Sequence, residues 1–134
     1  MALRAEKAEF KAPIEVRGFD ESDAFIAVFE RPSNAERKQL IEAYSALAQP
    51  NTPNADAAAE ALDIATLTRY LVNTEKQIDD QGKPLPFAEA KPLMLDSPRY
   101  RAELLSGFFA GVRNIAIDKA GNFMQPDTNG SAVV

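Results

Sequence analysis

The sequence predicts an α+β domain, mostly helical, with an N-terminal β-hairpin and a disordered C-terminal tail. Three observations lead there. Phe10, Ala12, Ile14 and Val16 alternate with Lys11, Pro13, Glu15 and Arg17, the period of two that a half-buried strand requires. Further along, apolar residues recur three and four positions apart, the helical spacing. Breakers gather between these runs, above all in Ile78-Asp79-Asp80-Gln81-Gly82-Lys83-Pro84-Leu85-Pro86-Phe87. No helix crosses that stretch, because each proline removes an amide donor and restricts its neighbour.

Taken in order, the first strand reads as an edge, since Pro13 cannot donate to a ladder. The run Ala24 to Arg31 mixes aromatic and β-branched residues, with Phe25, Ala27 and Phe29 on one face and Ile26 and Val28 on the other. A lone hairpin is marginal in water, so helices must cover it. Ser33 and Glu36 have capping-box spacing for a helix from about Asn34 to Ala48, striped by Leu40, Ile41, Tyr44, Leu47 and Ala48. Pro50 and Pro53 end it.

A second helix begins near Asn54 or Asp56 and is expected to reach about Asn73. Leu62, Ile64, Ala65, Leu67, Tyr70, Leu71 and Val72 go most of the way round it, which predicts the central, most buried helix. Asp63, Thr66, Thr68 and Arg69 form its polar strip. Ala88 to Leu95 is read as one or two helical turns broken at Pro92. Ser97 then caps a last helix with Pro98 at its first position, where the missing amide costs nothing. Leu104, Leu105, Phe108, Phe109, Val112, Ile115 and Ala116 stripe this helix, opposite Arg99, Arg101, Glu103 and Arg113. Residues 1–120 are thus the expected domain, and 121–134, without periodicity and rich in breakers, a flexible tail.

Composition narrows the chemistry. With 134 residues, 46% hydrophobic and 26% charged, the chain is long and apolar enough for a real core. It has neither cysteine nor histidine, which excludes disulfides, thiolate nucleophiles, Cys/His metal sites and every Ser-His or Cys-His catalytic arrangement. The net charge of −5 argues against a protein that binds nucleic acid by neutralising phosphates. Apolar runs are too short for a membrane span, and Met1 to Lys7 lacks the apolar core of a secretory signal.

Three motifs carry functional readings. Glu75, Asp79 and Asp80 suggest a carboxylate or magnesium site, but the calcium-loop spacing is missing and Asp with Gly is what a solvated turn needs. Gly107 and Gly111 form a G-x-x-x-G spacing that permits close backbone approach. Phe108 and Phe109 cannot share one direction on a helix, so one enters the core and the other rests on the hairpin or on a partner. Phe108, Phe109 and Val112 are the candidate partner contacts, since a groove between amphipathic helices can hold a partner's apolar stripe.

From Tyr70 to Val112 the sequence resembles tail assembly chaperones of long-tailed bacteriophages and prophages. The resemblance rests on the apolar run ending Leu71-Val72, the segment Pro92-Leu93-Met94-Leu95-Asp96 and the helix with Tyr100, Leu104, Leu105 and Phe108. Its most specific part is Asp80-Gln81-Gly82-Lys83-Pro84-Leu85-Pro86-Phe87. The resemblance implies a non-enzymatic protein, without cofactor, acting in the cytoplasm of the bacterial host and absent from the mature virion. Its implied partners are the tape measure protein and the tail tube protein, with a longer frameshifted form in many members. Two other classes stand beside it: a small adaptor or regulatory domain that self-associates through the same helices, and an enzyme using the Glu75, Asp79 and Asp80 carboxylates.

Overall fold

The computed structural model describes residues 8–18 and 21–120, with side chains to residue 113. Its elements run β1 (Glu9–Arg17), β2 (Ser22–Glu30), α1 (Asn34–Leu47), α2 (Ala55–Tyr70), β3 (Leu71–Glu75), α3 (Phe87–Leu95) and α4 (Pro98–Ala120). The architecture is α+β, as the two periodicities predict. The tail expected over 121–134 lies outside the described residues, as do the side chains of Ile115 and Ala116.

The predicted hairpin is part of a larger sheet. β1 and β2 pair antiparallel, with Phe10 opposite Phe29, Pro13 opposite Ile26 and Arg17 opposite Ser22. A third strand, β3, adds to the far side of β2, giving the order β1-β2-β3 and leaving β1, with its proline, on an edge. The second helix therefore stops at Tyr70, three residues short of the predicted Asn73. Leu71 takes extended angles (φ −81°, ψ 110°), and Leu71 to Glu75 pair with Phe29 to Ile26 across an irregularity between Val28 and Phe29. A strand edge otherwise left open outweighs a helical pattern that would run on by three residues. Lys91 Nζ closes the end of α2, donating to the carbonyls of Thr68 (3.0 Å) and Leu71 (2.9 Å).

One face of the sheet supplies Ala12, Ile14, Val16, Phe25, Ala27 and Phe29 to the core, against Leu104, Leu105 and Phe108 of α4 and Leu67, Tyr70, Ala90 and Met94 around them. The two glycines bring α4 down onto β1. A Cβ at Gly107 would lie 2.8 Å from Ile14 Cδ1, and one at Gly111 would overlap the Phe10 ring. The close approach is thus helix on strand, where the spacing alone suggested helix on helix.

Three further expectations change. α4, not α2, is the most buried helix: of α2 only Thr66, Leu67 and Tyr70 are buried, whereas Ala65 is exposed. Pro92 lies inside α3 and does not break it. Arg101, read as part of a solvated face, is 7% exposed; its guanidinium donates to Glu60 (2.9 Å) and to the Leu95 carbonyl (2.6 Å). The two caps form as read. Ser33 and Glu36 exchange side-chain and backbone bonds (2.9 and 3.1 Å), and Ser97 Oγ accepts from the Tyr100 amide at 3.4 Å. Among the described residues no helix is long and apolar enough to cross a membrane.

Candidate functional site

A cleft of ≈ 940 Å³ opens at the hairpin-tip end of the sheet. Three separate stretches wall it: the β1–β2 tip with Val16, Gly18 and Glu21 to Asp23, the turn with Ile78 to Asp80 and Gly82, and the start of α4 from Ser97 to Tyr100. Each wall is locally determined. Gly18 donates to Glu21 at 2.6 Å and closes the hairpin. Lys76, held at φ 61°, bends the chain away at the end of β3, a left-handed conformation uncommon for a residue with a side chain. Gln77 and Leu85 then bond (2.9 Å) and Asp79 with Lys83 (2.8 Å), forming a small hairpin that turns at Gly82, φ 78°.

The carboxylates on these walls have different occupations. Asp79 Oδ1 accepts from the amides of Gln81 (2.8 Å) and Lys83 (3.0 Å), so this side chain builds its own turn. Asp23 Oδ2 accepts from the Tyr100 hydroxyl at 2.6 Å, and the Tyr100 ring stacks on Phe25 with centroids 6.2 Å apart. Burial, with the Asp23 bond and charge, pushes the Tyr100 phenol up to about 12. Asp80 and Glu21 are exposed, and Arg99 brings positive charge to the rim. Acidic groups outnumber basic ones on the walls.

The sequence-predicted site residues lie apart. Glu75 turns to Lys11 on the sheet (2.9 Å), while Asp79 and Asp80 face the cleft, so the three carboxylates do not converge; among the described residues no group of three or more acidic side chains is placed to hold a metal. Phe108 is 0% exposed, with the rings of Tyr70, Phe109, Phe29 and Phe10 at 5.2, 5.2, 5.3 and 6.1 Å. It is a core residue that a partner could touch only by opening the fold. Val112 is 9% exposed beside it. Phe109 is half-buried and meets the edge of Tyr44 on α1 at 5.3 Å, so it rests on a helix and not on the hairpin.

The large apolar side chains that do face solvent are Ile41, Ile78 and Leu93, 60%, 50% and 66% exposed. Leu93 falls within the resembling segment; the buried face of α3 is carried by Ala90 and Met94, four positions apart, and Leu93 lies off it. The cleft had no sequence signal, because its walls come from stretches far apart in the chain. Comparison with protein-family models, with curated proteins and with solved structures found no match to this chain.

Proposed function

We propose that the chain is a non-enzymatic tail assembly chaperone that holds a tape measure protein soluble while tail tube subunits assemble around it. The observation that carries the reading is where the resembling motif lies. Asp80, Gln81, Gly82, Lys83, Pro84 and Pro86 are all exposed, and only Leu85 and Phe87 turn inward to the core. Gly82, at φ 78°, is needed by the turn itself, but packing does not require the residue types at the other exposed positions, and their pattern suits a surface that is read by another molecule. Exposed Ile78 and Leu93 flank the motif in sequence and offer apolar contacts of the kind that hold an amphipathic helix. Phe108 leaves the contact set on this reading, and the working surface shifts to the motif hairpin and α3.

The test is co-expression with the tape measure protein encoded near the same gene. Recovery of that long helical protein in the soluble fraction, bound to this chain, is the expected result. Leu93→Asp should lower recovery several-fold while leaving the melting temperature within about 2 °C, as a surface substitution does. A tape measure protein equally insoluble with and without the chain would overturn the proposal.

A further inference from the structure

β2 is longer than the strand that pairs with its second edge. It spans Ser22–Glu30, yet β3 reaches only from Phe29 back to Ile26, which stands opposite Glu75. The direction of the unpaired main-chain groups follows from the ladder with β1. In an antiparallel pair, residues that exchange both bonds alternate with residues whose groups point away. Gly18 donates to Glu21 at one end of the β1–β2 ladder and Arg31 to Ala8 at the other, so the bonded residues of β2 are odd-numbered. Pro13, which has no amide hydrogen, stands opposite Ile26 and fits the same phase. Ser22 and Ala24 therefore turn their N–H and C=O groups to the β3 side. Among the described residues no hydrogen bond takes them up, and both residues are exposed.

The gap beside them is continuous with the cleft, which Ser22 and Asp23 line, because Lys76 carries the chain off the sheet after Glu75. We infer that this open edge of β2 receives an extended, basic peptide segment of a partner protein, which lies down in line with β3 and bonds to the main chain of Ser22 and Ala24. Main-chain pairing gives such a strand its place, and side chains give it selectivity. Here the selecting groups are Glu21, Asp23, Asp79 and Asp80, against Arg99 alone.

The stretch that follows α4 lacks the charge to be that occupant. Residues 121–134 contain no lysine or arginine. The inference does not depend on the tape measure reading.

The experiment titrates a short capped peptide alternating lysine and valine into the full chain labelled with nitrogen-15. Expected are saturable shifts at Ser22 to Ala24, the 78–82 turn and the start of α4, with hydrogen-exchange protection of the Ser22 and Ala24 amides. N-methylation of alternate peptide residues should weaken binding by about tenfold or more, since it removes main-chain donors. Replacing lysine by glutamate should do the same, and Asp80→Lys should weaken binding several-fold without moving the melting temperature. Undiminished binding of the N-methylated peptide, shifts elsewhere, or no binding at millimolar peptide would overturn the inference. So would protection of the Ser22 and Ala24 amides by dimerisation without peptide, which would assign the edge to a second copy.

Discussion

α4 and α1 are both amphipathic helices by sequence, and the protein treats them in opposite ways. α4 lies on β1 with two glycines at the contact, and its Phe108 is enclosed by rings from β1, β2 and α2 as well as its own neighbour Phe109. α1 has no buried residue. It is fastened from outside by the Tyr44 hydroxyl, which bonds Asp63 at 2.8 Å and Thr66 at 3.3 Å, by Glu36 with Arg69 at 3.1 Å, and by the Tyr44 ring on Phe109. An apolar stripe shows which side of a helix faces inward. Small residues show how near it comes, and α1 has none aligned for a close approach.

The comparison predicts that stability is concentrated in α4. Phe108→Ala should cost about 3–5 kcal/mol in urea denaturation, the range for emptying a buried aromatic site. A loss below about 1 kcal/mol would mean that the ring is not enclosed. Gly111→Ala is a finer test because two effects oppose. Alanine gains roughly 1 kcal/mol in helix propensity, while overpacking costs typically 1–3 kcal/mol. Phe10 cannot swing aside freely, since it stacks on Phe108 and meets Phe29 at 5.5 Å; a net loss of about 1 kcal/mol is expected. Gly107→Ala meets only the movable end of Ile14 and the methyl of Ala12, and should be nearer neutral. Stabilisation by Gly111→Ala would break the close-contact account.

What was legible in the sequence divides along the same line. The hairpin alternation, both helix caps and the α4 stripe from Leu104 to Val112 are local patterns, and they fold as they read. β3 was hidden because Leu71 to Asn73 continue the helical pattern of α2, and only the bare edge of β2, more than forty residues earlier, makes Leu71 to Glu75 a strand. Arg101 sits in a charged stretch between the exposed Arg99 and Glu103; its burial follows from Glu60, brought alongside by α2. Phe108 enters the core, ringed by Phe10, Phe29 and Tyr70, while Phe109 lies half-buried against Tyr44 of α1; the second contact joins residues too far apart in the chain to be read locally. The cleft needs three distant walls, and an unpaired strand edge is visible only when the length of its partner is known.

The fastening of α1 gives a smaller and pH-dependent effect. Tyr44→Phe should cost about 1 kcal/mol at neutral pH, since it leaves Asp63 short of a donor, while Thr66 keeps its bond to the Leu62 carbonyl at 2.7 Å. Burial, and then Asp63, push the Tyr44 phenol up to about 12, against the opposing bond from Thr66. The unfolded phenol ionises near pH 10. Between pH 10 and 12 the unfolded state therefore holds fewer protons than the folded one, and stability falls as pH rises. The contribution is complete below pH 10 and gone above 12. Urea midpoints across this window should decline less steeply in Tyr44→Phe, with Tyr100 and Tyr70, whose phenols burial also pushes up, contributing slope of the same sign.

The smallest expected effect is the sharpest on the outer face of α1. Ile41 is 60% exposed, so Ile41→Ser removes an apolar side chain that water already surrounds and should change stability by no more than about 0.5 kcal/mol. Its value lies in the concentration dependence. If α1 is a peripheral strut, the urea midpoint of wild type and variant stays fixed over a hundredfold range of protein concentration. If copies of the chain meet through α1, the wild-type midpoint rises with concentration by mass action and the variant's does not. The exposed face of α1 would then be half of an interface, and its lack of buried residues would reflect a missing partner and not a light structural role.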